Sequence, residues 1–106
     1  MTDITLLSAK AISAALKDKR FSAKELVDAI YKRIDKYDKT INSFISLTPE
    51  LAYNQAAIVD GLIAKSEIPE VCELFGAPIG IKDNICIKDC ISTCGSRMLE
   101  NFKSPY

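Results

Sequence analysis

Gly76-Ala77-Pro78-Ile79-Gly80-Ile81-Lys82-Asp83-Asn84 is the stretch on which the reading of this chain turns. Pro78 and the two glycines bracket a short apolar run of the length of a buried strand. A strand is therefore expected over Pro78–Lys82, with a lysine at its end. Two readings of Lys82 are open. In one, its stem lies along apolar neighbours while the ammonium reaches water. In the other the lysine is buried, and burial disfavours its charged form. Such an amine serves as a general base or anchors a hydrogen-bond network. Asp83 and Asn84 would cap the turn that follows.

Outward from this stretch the pattern changes in both directions. Downstream, Ile85–Ile87 reads as a possible second strand and Met98–Phe102 as a helical turn. Upstream the chain is helical. Apolar residues at Ala11, Ile12, Ala15 and Leu16 predict a helix from Ala9 to about Lys19, with Ser8 as N-cap. Ser22-Ala23-Lys24-Glu25 has the form of a capping box, in which serine and glutamate satisfy each other's backbone donors. Leu26, Val27, Ile30, Ile34 and Tyr37 then follow at helical spacing as one apolar stripe. Asn42 to Leu47 leans toward β. Thr48-Pro49-Glu50 opens another helix, with proline at the first position, where its missing N–H costs nothing. That helix is expected to reach Lys65 with Leu51, Ala52, Ala56, Val59 and Ile63 inside, and Ser66–Glu73 is a polar connection. Helices followed by strands argue a mixed α/β architecture.

Composition narrows the chemistry. A chain of 106 residues with 48% hydrophobic and 26% charged residues suits one small folded domain. Fourteen basic and fourteen acidic residues cancel, which removes any global charge argument for nucleic acid or an anionic membrane. Lys17, Lys19, Arg20, Lys24, Lys32, Arg33, Lys36 and Lys39 alternate with Asp18, Glu25, Asp28, Asp35 and Asp38, as on a solvated helix face. With no histidine in the sequence, Ser-His-Asp and Cys-His catalysis and every histidine-containing metal site are excluded within these residues.

Cys86, Cys90 and Cys94 recur every four residues, with Cys72 distant. They lack the paired spacing of a zinc site, so burial as small hydrophobes is set against metal binding. Ser92, Thr93 and Ser96 read as turn and cap residues beside the alternative of nucleophiles. No leader and no apolar run of membrane-spanning length is visible, and a reducing, cytoplasmic setting is expected, organellar in a eukaryote.

The segment Leu74–Tyr106 resembles the amidase-signature enzymes. The residues that carry the likeness are Phe75-Gly76-Ala77-Pro78-Ile79-Gly80-Ile81-Lys82-Asp83-Asn84 and Ser92-Thr93-Cys94-Gly95-Ser96-Arg97-Met98-Leu99-Glu100-Asn101-Phe102. The second run looks most like the A subunits of aspartyl/glutamyl-tRNA amidotransferases. Phe21-Ser22-Ala23-Lys24-Glu25-Leu26 and Ile41-Asn42-Ser43-Phe44-Ile45-Ser46-Leu47 are compatible with it.

The resemblance implies an α/β fold whose N-terminal helices and first strands of a mixed sheet are present here, incomplete in this chain. Residues 1–106 would be the N-terminal fragment of one amidase-signature domain, with 1–66 mainly helical and 74–106 holding the lysine-bearing strand and the following segment. It implies a Ser–cis-Ser–Lys triad in which Lys82 relays the proton, with both serines absent from this chain. The substrate implied is free glutamine. The released ammonia would serve amidation of Glu-tRNA(Gln) or Asp-tRNA(Asn), with the B and C subunits and mischarged tRNA as partners. ATP and Mg would be used by the partner subunit, and no cofactor-binding residue and no metal ligand is assigned to this chain.

Since no Gly-Gly-Ser-Ser-Gly-Gly-like run occurs in residues 1–106, the chain alone is expected to be inactive. Three alternatives stand beside this reading: a fragment of a general amidase, a non-catalytic truncated remnant or assembly module, and a partial or frameshifted reading frame. Without the rest of a sheet, Leu74–Ile87 is expected to expose apolar strand edges.

Overall fold

The computed structural model describes residues 3–106; Met1 and Thr2 lie outside the described residues. Three α-helices account for its regular structure: α1 (Ala9–Lys17), α2 (Ala23–Ile41) and α3 (Pro49–Ala64). Single 3-10 turns occur at Ile4–Leu6 and Arg97–Leu99. The chain divides into two compact units. One comprises Met1–Asn42 with Pro49–Pro78, the other Ser43–Thr48 with Ile79–Tyr106.

The first unit forms where local signals and apolar spacing agree. Ser8 caps α1, its hydroxyl accepting from the Ala11 N–H at 3.2 Å. Ile12, Ala15 and Leu16 then fall on one buried face. Ser13 is buried as well, and its hydroxyl has no hydrogen-bond partner among the described residues.

The N-terminus of α2 is fully provided with acceptors. Ser22 N–H donates to Glu25 Oε2 at 2.7 Å, and Glu25 N–H donates to Ser22 Oγ at 3.1 Å, completing the capping box. Asp60, on α3, accepts from Ala23 N–H at 2.7 Å and Lys24 N–H at 3.2 Å. The amides of residues 22–25, which a helix leaves without carbonyl partners, are thus all satisfied by side chains. Asp60 also pins α3 to α2 at that point. At the other end Asn42 adopts the left-handed conformation, φ 56°, that commonly stops a helix.

The stripe on α2 is covered only along its first half. Ala23, Leu26 and Val27 are buried, Ile30 and Ile34 half-buried, and Tyr37 and Ile41 exposed. Arg33 and Lys36 lie 5.2 and 5.0 Å from the centroid of the Tyr37 ring, which gives that outlying ring cationic company. Tyr53 of α3 stacks on Tyr31 at 6.1 Å and donates its hydroxyl to Asp28 Oδ1 at 2.6 Å. This bond, more than burial, raises the tyrosine's pKa, because the carboxylate holds the phenolic proton. Ala56 and Ile63 of α3 complete the core with Phe75, while Leu51, Ala52 and Val59 remain half-buried.

The polar connection after α3 returns to this core at Phe75-Gly76. Lys17 Nζ donates to the Cys72 carbonyl at 3.2 Å. Gly76 has φ +72°, and a Cβ there would collide with Leu16 Cδ1 and lie 3.2 Å from Val59 Cγ1. The backbone conformation favours glycine, and a Cβ would have to displace the Leu16 side chain. Gly80, four residues on, has open space around it.

The expected first strands are not present among the described residues. Pro78–Lys82 and Ile85–Ile87 run without ladder partners, and Asn42–Leu47 is irregular as well. The one isolated bridge among the described residues joins Ile91 to Lys103, antiparallel. The α/β architecture expected from the run at Pro78–Lys82 is therefore corrected to a helical unit followed by a loop-built one. The physical reason is that a strand is defined by its neighbour. The apolar run is of strand type, but among the described residues no other segment forms a ladder with it.

Candidate functional site

The second unit holds Lys82, and its construction is polar. Its buried side chains are Ser92, Thr93 and Ser104, whereas Ile79, Ile81, Ile85 and Met98 are exposed. Lys82 is exposed too. The expected exposure of apolar groups between Leu74 and Ile87 is present, on irregular backbone rather than on strand edges.

What orders this region is a set of hydrogen bonds centred on Asp83. A turn closes first: Ile85 N–H donates to the Lys82 carbonyl at 2.9 Å. The Asp83 carboxylate then reaches ten residues ahead. Oδ1 accepts from Thr93 N–H at 2.8 Å, and Oδ2 accepts from the Thr93 hydroxyl and from Gly95 N–H at 3.4 Å. Thr93 Oγ1 in turn accepts from Gly95 N–H at 3.1 Å. The Asp83 carbonyl accepts from Cys94 N–H at 3.2 Å. Cys94 and Gly95 have positive φ, 51° and 72°, and this turns successive amides toward the aspartate. Ser92 donates its hydroxyl to the Ile85 carbonyl at 3.3 Å.

The Asp83 carboxyl is held below the ordinary value of 3.8. The Thr93 hydroxyl is the first cause, followed by the Thr93 amide; modest desolvation opposes them and the Gly95 amide adds to them.

Around this clasp, Asp89 N–H donates to the Ser104 carbonyl at 2.8 Å, Ser104 N–H to the Cys90 carbonyl at 2.9 Å, and Ser92 N–H to the Phe102 carbonyl at 3.1 Å. Ser96 caps the short turn at Arg97–Leu99, accepting from Met98 N–H at 3.2 Å.

Of the residues singled out by the sequence, the structure joins the lysine turn to the Ser92–Ser96 run. It does not assemble the cysteines. All four are free thiols, Cys86 and Cys94 exposed and Cys72 and Cys90 half-buried. No group of three or more Cys, Asp or Glu side chains among the described residues could hold a metal ion. Nor are Cys86 and Cys94 the buried hydrophobes of the other reading. The clasp made by Asp83 and Thr93 is what sequence reasoning missed. The signal was an aspartate directly after the lysine and a Ser-Thr-Cys-Gly loop further on, but ten residues separate the partners and no short-range rule pairs them.

Residues 25–106 match the amidase family, and the chain belongs to that family. Among curated proteins, it is 46% identical over 95 residues to the A subunit of the glutamyl-tRNA(Gln) amidotransferase of Pseudomonas fluorescens (strain SBW25), covering 90% of this chain and 19% of that protein. It is 45% identical over 100 residues to the A subunit from Pseudomonas putida (strain W619), covering 94% of this chain and 20% of that one. To the Moraxella catarrhalis A subunit it is 43% identical over 106 residues, covering 100% of this chain and 21% of the relative. The chain thus spans about a fifth of the length of these relatives. No helix among the described residues is long and apolar enough to cross a membrane.

Proposed function

We propose that this chain is the N-terminal portion of a glutamine-hydrolysing amidotransferase subunit, and that Lys82 is the proton-relaying lysine of its Ser–cis-Ser–Lys triad. The observation that carries the reading is the match of residues 25–106 to the amidase family together with 43–46% identity to the A subunits of glutamyl-tRNA(Gln) amidotransferases. Lys82 lies inside the matched region. Its exposed amine stands on a turn that is itself tied down, the arrangement required of a group that must meet reacting atoms supplied from elsewhere in a fold.

In this reading both serines come from sequence outside these 106 residues, which contain no Gly-Gly-Ser-Ser-Gly-Gly-like run. Once the remaining fold covers it, the amine loses water. A neutral lysine is then able to take a proton through the bridging serine from the nucleophilic one. That serine attacks the carboxamide of glutamine, and the proton returns to the departing ammonia. Water then cleaves the glutamyl ester to release glutamate and restore the serine. Backbone amides hold the oxyanion. The ammonia serves amidation of Glu-tRNA(Gln) or Asp-tRNA(Asn) in a complex with B and C subunits, where ATP and Mg are used by the partner subunit. The setting is cytoplasmic, and the 106-residue chain alone releases no ammonia.

The test places this chain in the matched fifth of the Moraxella catarrhalis protein and follows ammonia release from glutamine. Lys82→Ala should lower the rate by about 10²–10⁴, the range of a lost general base. Turnover that survives Lys82→Ala overturns the reading.

A further inference from the structure

We propose that Asp83 and Thr93 together are the positioning device of Lys82: a clasp that fixes where its backbone turns and leaves its amine without an ion-pair partner among the described residues. The inference rests on the reading of Lys82 as the triad lysine and deepens it.

The geometry has three parts. First, the residue adjoining Lys82 is anchored through both backbone and side chain. The Asp83 carbonyl takes the Cys94 amide, and its carboxylate takes the Thr93 amide, the Thr93 hydroxyl and the Gly95 amide. The Lys82 carbonyl is held as well, by Ile85 N–H. A peptide plane with its neighbours fixed in this way has little freedom left, so the direction of the Lys82 side chain is set from one side.

Second, the carboxylate is engaged elsewhere. Its two oxygens receive three donors, all from 93–95. A carboxylate next to a lysine in sequence would otherwise be the natural ion-pair partner, and such a pair favours the charged amine. Directed to 93–95, Asp83 forms no ion pair with Lys82 among the described residues. A proton relay needs a lysine free of that pairing.

Third, the far side of the clasp is firm. Thr93 is buried, at 7% exposure, in a unit that leaves Ile79, Ile81, Ile85 and Met98 exposed. Its hydroxyl both donates to Asp83 Oδ2 and accepts from Gly95 N–H. Valine, nearly isosteric, would keep the volume and lose both bonds. Serine would keep both bonds and lose one methyl. Neither substitution changes a formal charge, so any effect on the lysine travels through its position or through the Asp83 carboxylate that the lost hydroxyl releases.

The same chimeric protein provides the test, with Thr93→Val, Thr93→Ser and Lys82→Ala measured for kcat, KM and the pH dependence of glutamine hydrolysis. Thr93→Val should lower kcat at least tenfold with KM within twofold, since a misplacement of about 1 Å can cost up to 10²-fold. It should also move the midpoint of the pH limb that reports the lysine, and Thr93→Ser should restore both. Simple loss of folded protein would scale the rate at every pH without moving that midpoint.

A Thr93→Val enzyme with unaltered kcat and pH midpoint, while Lys82→Ala is inactive, overturns the clasp and leaves the lysine's role standing. So does a rate merely scaled down at an unmoved midpoint. Activity in Lys82→Ala removes the reading on which the clasp rests.

Discussion

The helical unit and the lysine-bearing unit bury opposite kinds of side chain. In the first, Ile12, Leu16, Leu26, Val27, Ile63 and Phe75 lie inside, and hydrogen bonds serve mainly to finish the helix ends. In the second, Ser92, Thr93 and Ser104 lie inside while large apolar residues, Ile79, Ile81, Ile85 and Met98 among them, face outward. One is ordered by removing apolar surface from water, at roughly 25 cal/mol per Å². The other is ordered by hydrogen bonds, each of which contributes only about 0.5–1.5 kcal/mol net. Hydrogen bonds order the second unit where apolar burial orders the first.

The sharpest way to break this contrast is to truncate one apolar side chain in each unit. Leu16→Ala, at a fully buried position, should cost about 2–5 kcal/mol in urea unfolding followed by helical circular dichroism. Ile81→Ala, 46% exposed, should cost under about 0.5 kcal/mol in the same experiment. Equal costs would show that the two units share a single kind of core.

Gly76→Ala probes the first unit at the motif itself. Its positive φ and its close approach to Leu16 predict a loss of about 1–3 kcal/mol. An unchanged unfolding midpoint would mean that the helical core does not reach the motif.

The smallest effect is local and depends on pH. The carboxyl pKa of Asp83 is lower in the folded chain than its ordinary 3.8. The stabilisation from the clasp is therefore complete above the unfolded value and is lost as pH falls through the lower folded one. Amide exchange at Thr93 and Gly95 should quicken below pH about 3.8 relative to its intrinsic rate, while Leu16 and Leu26 amides stay protected. Simultaneous loss at all four positions would erase the distinction between the units.

Much of the first unit is legible in the sequence, because its determinants are close along the chain. Ser8, the Ser22–Glu25 box and Pro49 mark helix starts within three residues of the groups they act on. Spacing also puts Leu16, Leu26, Ala56 and Ile63 inside. Spacing is less informative for Tyr37, which is exposed although it continues the same stripe. The strands expected at Pro78–Lys82 and Ile85–Ile87 fail for a related reason: an apolar run states what a strand would bury, but not whether another segment pairs with it.

For the site, the motif around Lys82 discloses the lysine and its family, while burial of that lysine does not follow. Short-range chemistry therefore determined the helices, their caps and the lysine-bearing motif, since these need only neighbours within a turn or two. Only the tertiary structure decided that Asp60 of α3 completes the start of α2, that Gly76 comes up against Leu16, and that Asp83 is committed to Thr93. Each depends on residues ten to sixty positions apart meeting in space, and no local pattern encodes such meetings.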